Sequence, residues 1–425
     1  MRVWLVQRAE STPHDDGGNR RLLRIGILAN ILQDQGHEVV WWTSSFDHVA
    51  KKKRYQQSTR ILVKKNYYIQ YLKCFGYKKN ISLSRFLDNH VVSRQFNKVA
   101  AHDKKKPDII LTSVPSVELS QKVLQYAKRN KIPVVLDIRD LWPDVFTELL
   151  PKSLSWLVNI LTIPMRNNLI DICSNATAIS GITDDFVKWG IKHSKRERND
   201  QDIYFPMAYI KGQITNEKKS EAYSFWKKHG IENKNTLNIV FIGTFTNSFE
   251  FDTIFSAAKI LQDHKVPVRF IFCGIGAKEK EIKKSCENLN NCIFAGWINA
   301  AQIKTILELS DVGLAPYIHT KNFLENIPNK PAEYLSENLL IATSLKYGKL
   351  YELIKTKKCG ISYGNDPIKL ASFLENLTKD RKKLNQLTKN SEEIFSSELD
   401  GRKIYLSMID YLQKLTTESL NDKKS

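Results

Sequence analysis

The sequence predicts an α/β protein built as two doubly wound domains facing a central cleft. Three observations carry that reading. Apolar runs of four to six residues alternate with helical periodicity, the alternation stops near residue 190 and restarts at 237, and glycines stand directly after several runs of the second half. Strands alternating with helices give parallel sheets covered by helices, and ligands bind beyond the C-terminal strand ends. A chain of 425 residues accommodates two such domains, and an apolar content of 42% excludes wholesale disorder.

In the first half, residues 3–6, 38–43, 108–112, 133–138 and 176–180 read as strands. Helical periodicity covers 20–35, 117–128 and 154–173. In the second half, strands are expected at 237–242, 268–273, 292–294 and 312–315, with helices at 218–229, 252–263, 278–288 and 300–309. The expected organisation is a first domain over 1–190, a connection over 191–236, a second domain over 237–400, and a helix and polar tail over 401–425 with the option of packing back on the first domain.

The charge is uneven. The chain carries 65 Lys/Arg against 45 Asp/Glu, net +20. Residues 51–106 alone hold 16 Lys/Arg and two acids. The segment opens with Lys51, Lys52, Lys53 and Arg54 and closes with Lys104, Lys105 and Lys106, and Tyr55, Tyr67, Tyr68, Tyr71, Phe75, Tyr77, Phe86 and Phe96 lie between. Basic residues among aromatics suit an anionic membrane surface. A solvated basic face with the rings turned to the core is the alternative. No nucleic-acid motif accompanies the segment, so nucleic acid is not expected as a partner.

No run approaches the roughly 18 apolar residues of a membrane span, and residues 1–8 read as a strand rather than a signal peptide. The six cysteines form no CxxC pair and no metal spacing, so reduced structural thiols and no metal site are expected. The cytoplasm, at the inner face of the plasma membrane, is the expected location.

Three loops follow strands and carry candidate chemistry. In the first, Gly17 and Gly18 precede a helix, where backbone amides approach an anion closely. In the second, Arg139 and Asp140 stand in the text Asp137-Ile138-Arg139-Asp140-Leu141-Trp142-Pro143-Asp144. Charges at a strand's C-terminal end suit a catalytic role, and an internal Arg139–carboxylate brace is the alternative. In the third, Glu325 and Glu333 flank Asn329, Lys330 and Pro331. Pro331 predicts a helix start with Asn329 or Lys330 at its cap and Glu333 in its first turn, so that free amides and the Lys330 ammonium meet phosphate.

With these residues the chain resembles the family-4 retaining glycosyltransferases, which have the GT-B fold of two Rossmann-like domains. The spacing Glu325-x7-Glu333 with Asn329-Lys330 carries the resemblance. Arg139-Asp140-Leu141-Trp142-Pro143 narrows it toward a bacterial branch like the L-fucosamine transferases of O-antigen and capsule synthesis. The resemblance implies a nucleotide-sugar donor, usually UDP-linked, a lipid-linked diphosphate oligosaccharide acceptor, retention of configuration and no required cofactor. By it, Glu333 would hold the donor ribose, Glu325 the donor sugar and Lys330 the diphosphate. The turns at Gly243, Gly274, Gly296 and Trp297 would line the donor, and Gly17 and Gly18 would approach the diphosphate or the reacting centre. An Arg and a Lys common after the strand that opens the second domain are missing from Gly243-Thr244-Phe245-Thr246-Asn247-Ser248. Lys330 and backbone amides would then carry more of the diphosphate charge. A UDP-sugar 2-epimerase on the same architecture and a non-catalytic basic membrane- or nucleic-acid-binding protein are the competing readings.

Overall fold

A computed structural model describes residues 1–421 apart from 19, 79–81, 149–152, 154, 213 and 233–235. Asn19 of the first loop, the expected helix start at Leu154 and the end of the polar tail lie outside the described residues. The chain divides into two compact units, Met1–Pro206 with Lys403–Ser425, and Met207–Arg402.

The N-terminal unit contains β1 (Arg2–Val6), β2 (Glu38–Ser44), β3 (Phe46–Asp47), β4 (Lys52–Lys53), β5 (Thr59–Lys64), β6 (Tyr67–Leu72), β7 (Ile109–Val114), β8 (Val134–Ile138) and β9 (Ala178–Gly181). Seven of them form one sheet in the order β5-β6-β2-β1-β7-β8-β9, and β3 and β4 make a separate two-stranded ribbon. Only β5 runs antiparallel to its neighbour in the large sheet. The central strands are buried end to end, as parallel strands covered on both faces must be. β5 alternates exposure residue by residue, as a half-solvated edge does. Trp4, Trp42, Phe96 and Tyr126 pack into one ring cluster, with Trp4 and Tyr126 stacked at 5.2 Å.

The stretch read as one helix over 154–173 is two, Ser155–Leu161 and Ile163–Asn175. Pro164 lies in the first turn of the second, where its missing N–H costs least. The first helix begins at Arg24 rather than 20, since Arg20 turns aside to hold Asp47 at 2.8 Å.

The C-terminal unit contains β10 (Leu237–Ile242), β11 (Val268–Cys273), β12 (Cys292–Gly296), β13 (Val312–Ala315), β14 (Leu340–Thr343) and β15 (Gly360–Ser362). All pair in parallel, in the order β12-β11-β10-β13-β14-β15. Numbered within the unit this is the 3-2-1-4-5-6 order of a doubly wound sheet, whose switch point falls between β10 and β13. Helices Asp252–Asp263 and Pro367–Lys379 cover one face, with Ile254, Ala258, Leu370 and Leu374 buried against the strands. Trp226, Ile306 and Tyr334 pack on the other.

The last helix, Gly401–Asn421, returns to the N-terminal unit. There Tyr411 donates to the Gln201 carbonyl at 2.8 Å, and Gln413 meets His37 at 3.2 Å. No disulfide joins the six cysteines.

Candidate functional site

In the C-terminal unit Gly243 and Lys330 meet at the tip of β10, beside the switch point, and Gly274 and Gly296 stand at the tips of β11 and β12. Gly243 follows β10 and donates its amide to Cys273 at 2.9 Å, and Gly274 donates to the Gly296 carbonyl at 2.7 Å. The three glycines thus step across the tips of β10, β11 and β12. Gly274 has φ +145°, and a Cβ there would lie 1.9 Å from the Gly243 carbonyl oxygen, so no other residue fits. Trp297, next to the Gly296 turn, is exposed over less than half of its surface.

Lys330 reaches into the space that Gly243 leaves open. A Cβ on Gly243 would sit 2.7 Å from Lys330 Cε and 2.8 Å from Nζ. The ammonium lies 4.4 Å from the ring centroid of Phe249, 5.4 Å from Phe241 and 6.0 Å from Tyr317. Three ring faces hold one cation by their quadrupoles, and a cation so held is presented without a flexible search. Phe241 belongs to β10, and Phe249 and Tyr317 come from the loops after β10 and β13, joined by a backbone bridge. Sequence reading missed all three rings, and their only signal was the density of Phe after β10.

The helix that carries Lys330 runs Asn329–Ser336 with Pro328 at its cap. Asn329 and Lys330 therefore occupy the first turn instead of the cap, and Glu333 lies in the second turn instead of the first. The correction follows from proline geometry: Pro328 takes the extended conformation of a cap, with ψ 172°, and leaves the helix to begin behind it. Glu333 is buried. Tyr334 clamps the helix to the sheet, its hydroxyl accepting from the Ile242 amide at 3.3 Å and donating to the Leu314 carbonyl at 3.2 Å. Its ring fills the place of a side chain at Gly313. Glu325 ends the short helix Lys321–Leu324 and stands 3.8 Å from Lys321. His319, also missed, accepts from the Lys346 amide at 3.1 Å, and burial together with the Lys346 charge holds its imidazole below the ordinary value.

In the N-terminal unit two of the candidates, Arg54 and Arg139, stand in ion pairs. Asp15–Gly18 form a single 3-10 turn, with Gly17 at φ 61°. Asp15 anchors that turn, accepting from the Thr12 amide at 2.7 Å and from two Arg54 nitrogens at 2.6 Å. Arg139 stands against Glu10 at 2.5 Å, and Glu10 also accepts from the Ile25 amide at 3.0 Å. Beside them Arg24 grips Asp137 through two bonds of 3.0 and 3.2 Å, fully out of water. Arg139 is thus engaged in a brace, the alternative kept open for it. Asp140, half-buried, contributes to the field at Arg85.

The basic segment divides. Lys52, Lys53, Lys104, Lys105 and Lys106 are exposed. Lys51 is half-buried with its ammonium 4.7 Å from the Tyr77 ring, where burial and then the charge of Arg85 pull it down to about 8. Arg54 was expected on the same surface and instead turns inward, because Asp15 and the carbonyls of Ser44 and Phe46 satisfy its guanidinium. Tyr67, Tyr71, Tyr77 and Phe96 are core residues, whereas Phe75 and Phe86 are exposed. Among the described residues no group of three His, Cys, Asp or Glu is placed to hold a metal ion.

Residues 224–394 match the family profile Glycosyl transferases group 1. Compared by sequence with the curated proteins, the chain matches none. Its fold is similar to that of sucrose-phosphate synthase from Thermosynechococcus elongatus, with a TM-score of 0.71 and 14% identity over 98% of this chain and 99% of that one. HepE of Anabaena, solved in complex with UDP-glucose, is similar with a TM-score of 0.62 and 13% identity over 97% of this chain and 100% of that one. WaaG, a glycosyltransferase involved in lipopolysaccharide biosynthesis, is similar with a TM-score of 0.61 and 14% identity over 95% and 99%. The chain therefore has the GT-B fold, and its C-terminal unit matches the group 1 glycosyl transferases.

Proposed function

We propose that this protein is a retaining glycosyltransferase. It moves a hexosyl or N-acetylhexosaminyl group from a UDP-linked donor onto a lipid-linked diphosphate oligosaccharide during bacterial surface-polysaccharide synthesis. The observation that supports the reading most is the ammonium of Lys330, held among three rings over Gly243 at the switch point of the C-terminal sheet. That HepE was solved with UDP-glucose supports the choice of nucleotide.

Glycosyl transfer passes through an oxocarbenium-like transition state while negative charge gathers on the departing diphosphate. In this reading Lys330 and the first-turn amides of Asn329–Ser336 meet that charge with groups already in place, which lowers the barrier more than groups that must reorganise. The tight turns at Gly243 and Gly274 admit the phosphates close to the backbone. Glu333 binds the donor ribose, and Glu325 orients the donor sugar. The leaving phosphate takes the acceptor's proton on the same face, so no protein nucleophile is assigned. In the N-terminal unit Arg139 and Asp140 shape the acceptor side, Arg139 through Glu10.

Thermal unfolding with UDP, ADP, GDP and their sugar conjugates tests the donor class. UDP or a UDP-sugar should raise the unfolding temperature by binding the folded state alone. No response to any nucleotide would sink the enzyme reading. Incubation with donor alone separates the reactions, since an epimerised nucleotide sugar identifies an epimerase and acceptor-dependent release of UDP identifies transfer.

A further inference from the structure

The helix Ser155–Leu161 buries only Val158, which is unusual for an apolar segment. Trp156 is 61% exposed, Ile160 54% and Leu161 70%, and Leu157 and Ile163 are exposed as well. Residues 155–165 contain no charged side chain. Five large apolar groups turned to water within eight residues exceed what a soluble surface ordinarily shows, and such patches mark contact sites.

Charge chooses the occupant. The unit that carries this helix has 37 Lys/Arg against 23 Asp/Glu. Arg166 begins just behind the patch, and helix Val117–Asn130, which packs on Ile163–Asn175, exposes Lys128 and Arg129. Two such units repel one another, whereas an anionic bilayer attracts each of them. Trp beside Leu and Ile is the composition of a helix lying in the headgroup region. Among the described residues no helix is long and apolar enough to cross a membrane, so the contact is interfacial.

We infer that Trp156, Leu157, Ile160, Leu161 and Ile163 seat the N-terminal unit in an anionic membrane surface, with the exposed lysines 52, 53 and 104–106 adding only long-range attraction. The inference rests on the proposed lipid-linked acceptor. It assigns the anchoring to an apolar helix outside residues 51–106.

The test is flotation of the full chain with vesicles of phosphatidylcholine plus phosphatidylglycerol and with phosphatidylcholine alone. Trp156→Ser combined with Leu161→Ser should weaken binding to the anionic vesicles at least ~10-fold, while Ile368→Ser, an exposed apolar residue of the other unit, should leave it unchanged. The unfolding temperature and the UDP response of the double variant should match the parent. Equal binding by parent and double variant overturns the inference, as does a parent that binds neither vesicle or binds both equally. A parent dimer that the double variant dissolves gives the patch to a second copy instead. A chain that ignores every nucleotide yet floats through Trp156 upholds this inference and fails the transferase reading.

Discussion

The two sheets share a topology and differ at their tips. Without the antiparallel edge β5, the N-terminal strands β6-β2-β1-β7-β8-β9 repeat the 3-2-1-4-5-6 order of the C-terminal sheet. In the N-terminal unit the arginines and carboxylates near these tips pair with one another: Arg139 with Glu10, Arg24 with Asp137, Arg54 with Asp15 and Arg20 with Asp47. Beyond the C-terminal sheet, glycines clear a path for one lysine and rings hold it. One topology thus carries two kinds of tip: internal ion pairs in one unit, and in the other a ring-held cation over bare backbone, which we propose as the seat of the donor diphosphate.

The largest expected effect tests the ion-paired half of this contrast. Asp137→Ala strands the buried Arg24 guanidinium, and breaking a buried pair costs about 3–5 kcal/mol. Urea denaturation followed by Trp fluorescence should show that loss in the N-terminal unit, and a shift below about 1 kcal/mol would mean the pairs are dispensable. The other half is tested by Lys330→Ala, expected to lower turnover at least ~10-fold, one charged contact being worth about 1.4 kcal/mol or more. Unchanged folding together with a lost UDP response is the expected signature. Gly243→Ala sharpens the same point without replacing the lysine. Its new methyl must push Lys330 aside, so kcat/KM should fall by several-fold to roughly 10-fold, and full activity would show that the ammonium does not need that seat.

A smaller effect concerns Lys51. Its folded-state value of about 8 lies below the ordinary 10.5, so the unfolded chain binds more protons between those values and stability rises with pH across that window. Lys51→Met should therefore be more stable than the parent at pH 7, with the difference vanishing toward pH 10, as read by unfolding temperature. The smallest effect is charge reversal at Lys52, Lys53 and Lys104–Lys106. Stability should stay within about 0.5 kcal/mol and donor binding should be unchanged. Vesicle binding should weaken only modestly and mainly at low salt.

Several elements were legible because their patterns are local. The runs at 237–242, 252–263, 268–273 and 312–315 coincide with the observed strands and helix, each being a largely apolar stretch or a clean 3.6-residue period bounded by polar text. β5, β6 and the helix Leu83–Ala101 escaped notice for the opposite reason. β5 alternates at an edge, and the helix buries Asp88 and Asn89 on its inner face, so hydrophobic periodicity is blurred. Asp88 and Asn89 are there to meet Arg8, which lies 80 positions away or more. In the candidate site, the sequence pointed to Lys330, Gly243 and Gly274 separately. It offered no sign that the lysine fills the glycine's vacancy.

By itself, then, the sequence determined two β/α-alternating halves, a glycine after each early strand of the second half, and a lysine between two prolines at a helix start. These follow from chain-local rules of periodicity, φ freedom and missing amides. Only the tertiary structure decided where charges end. It drew Arg54 in to Asp15, engaged Arg139 with Glu10 and laid Lys330 among Phe241, Phe249 and Tyr317. It also left Trp156 and Leu161 in water while burying Tyr67 and Phe96. The reason is physical: a charged or aromatic side chain is stabilised by whichever partner the fold brings within a few ångströms, and those partners lie tens to hundreds of residues away along the chain.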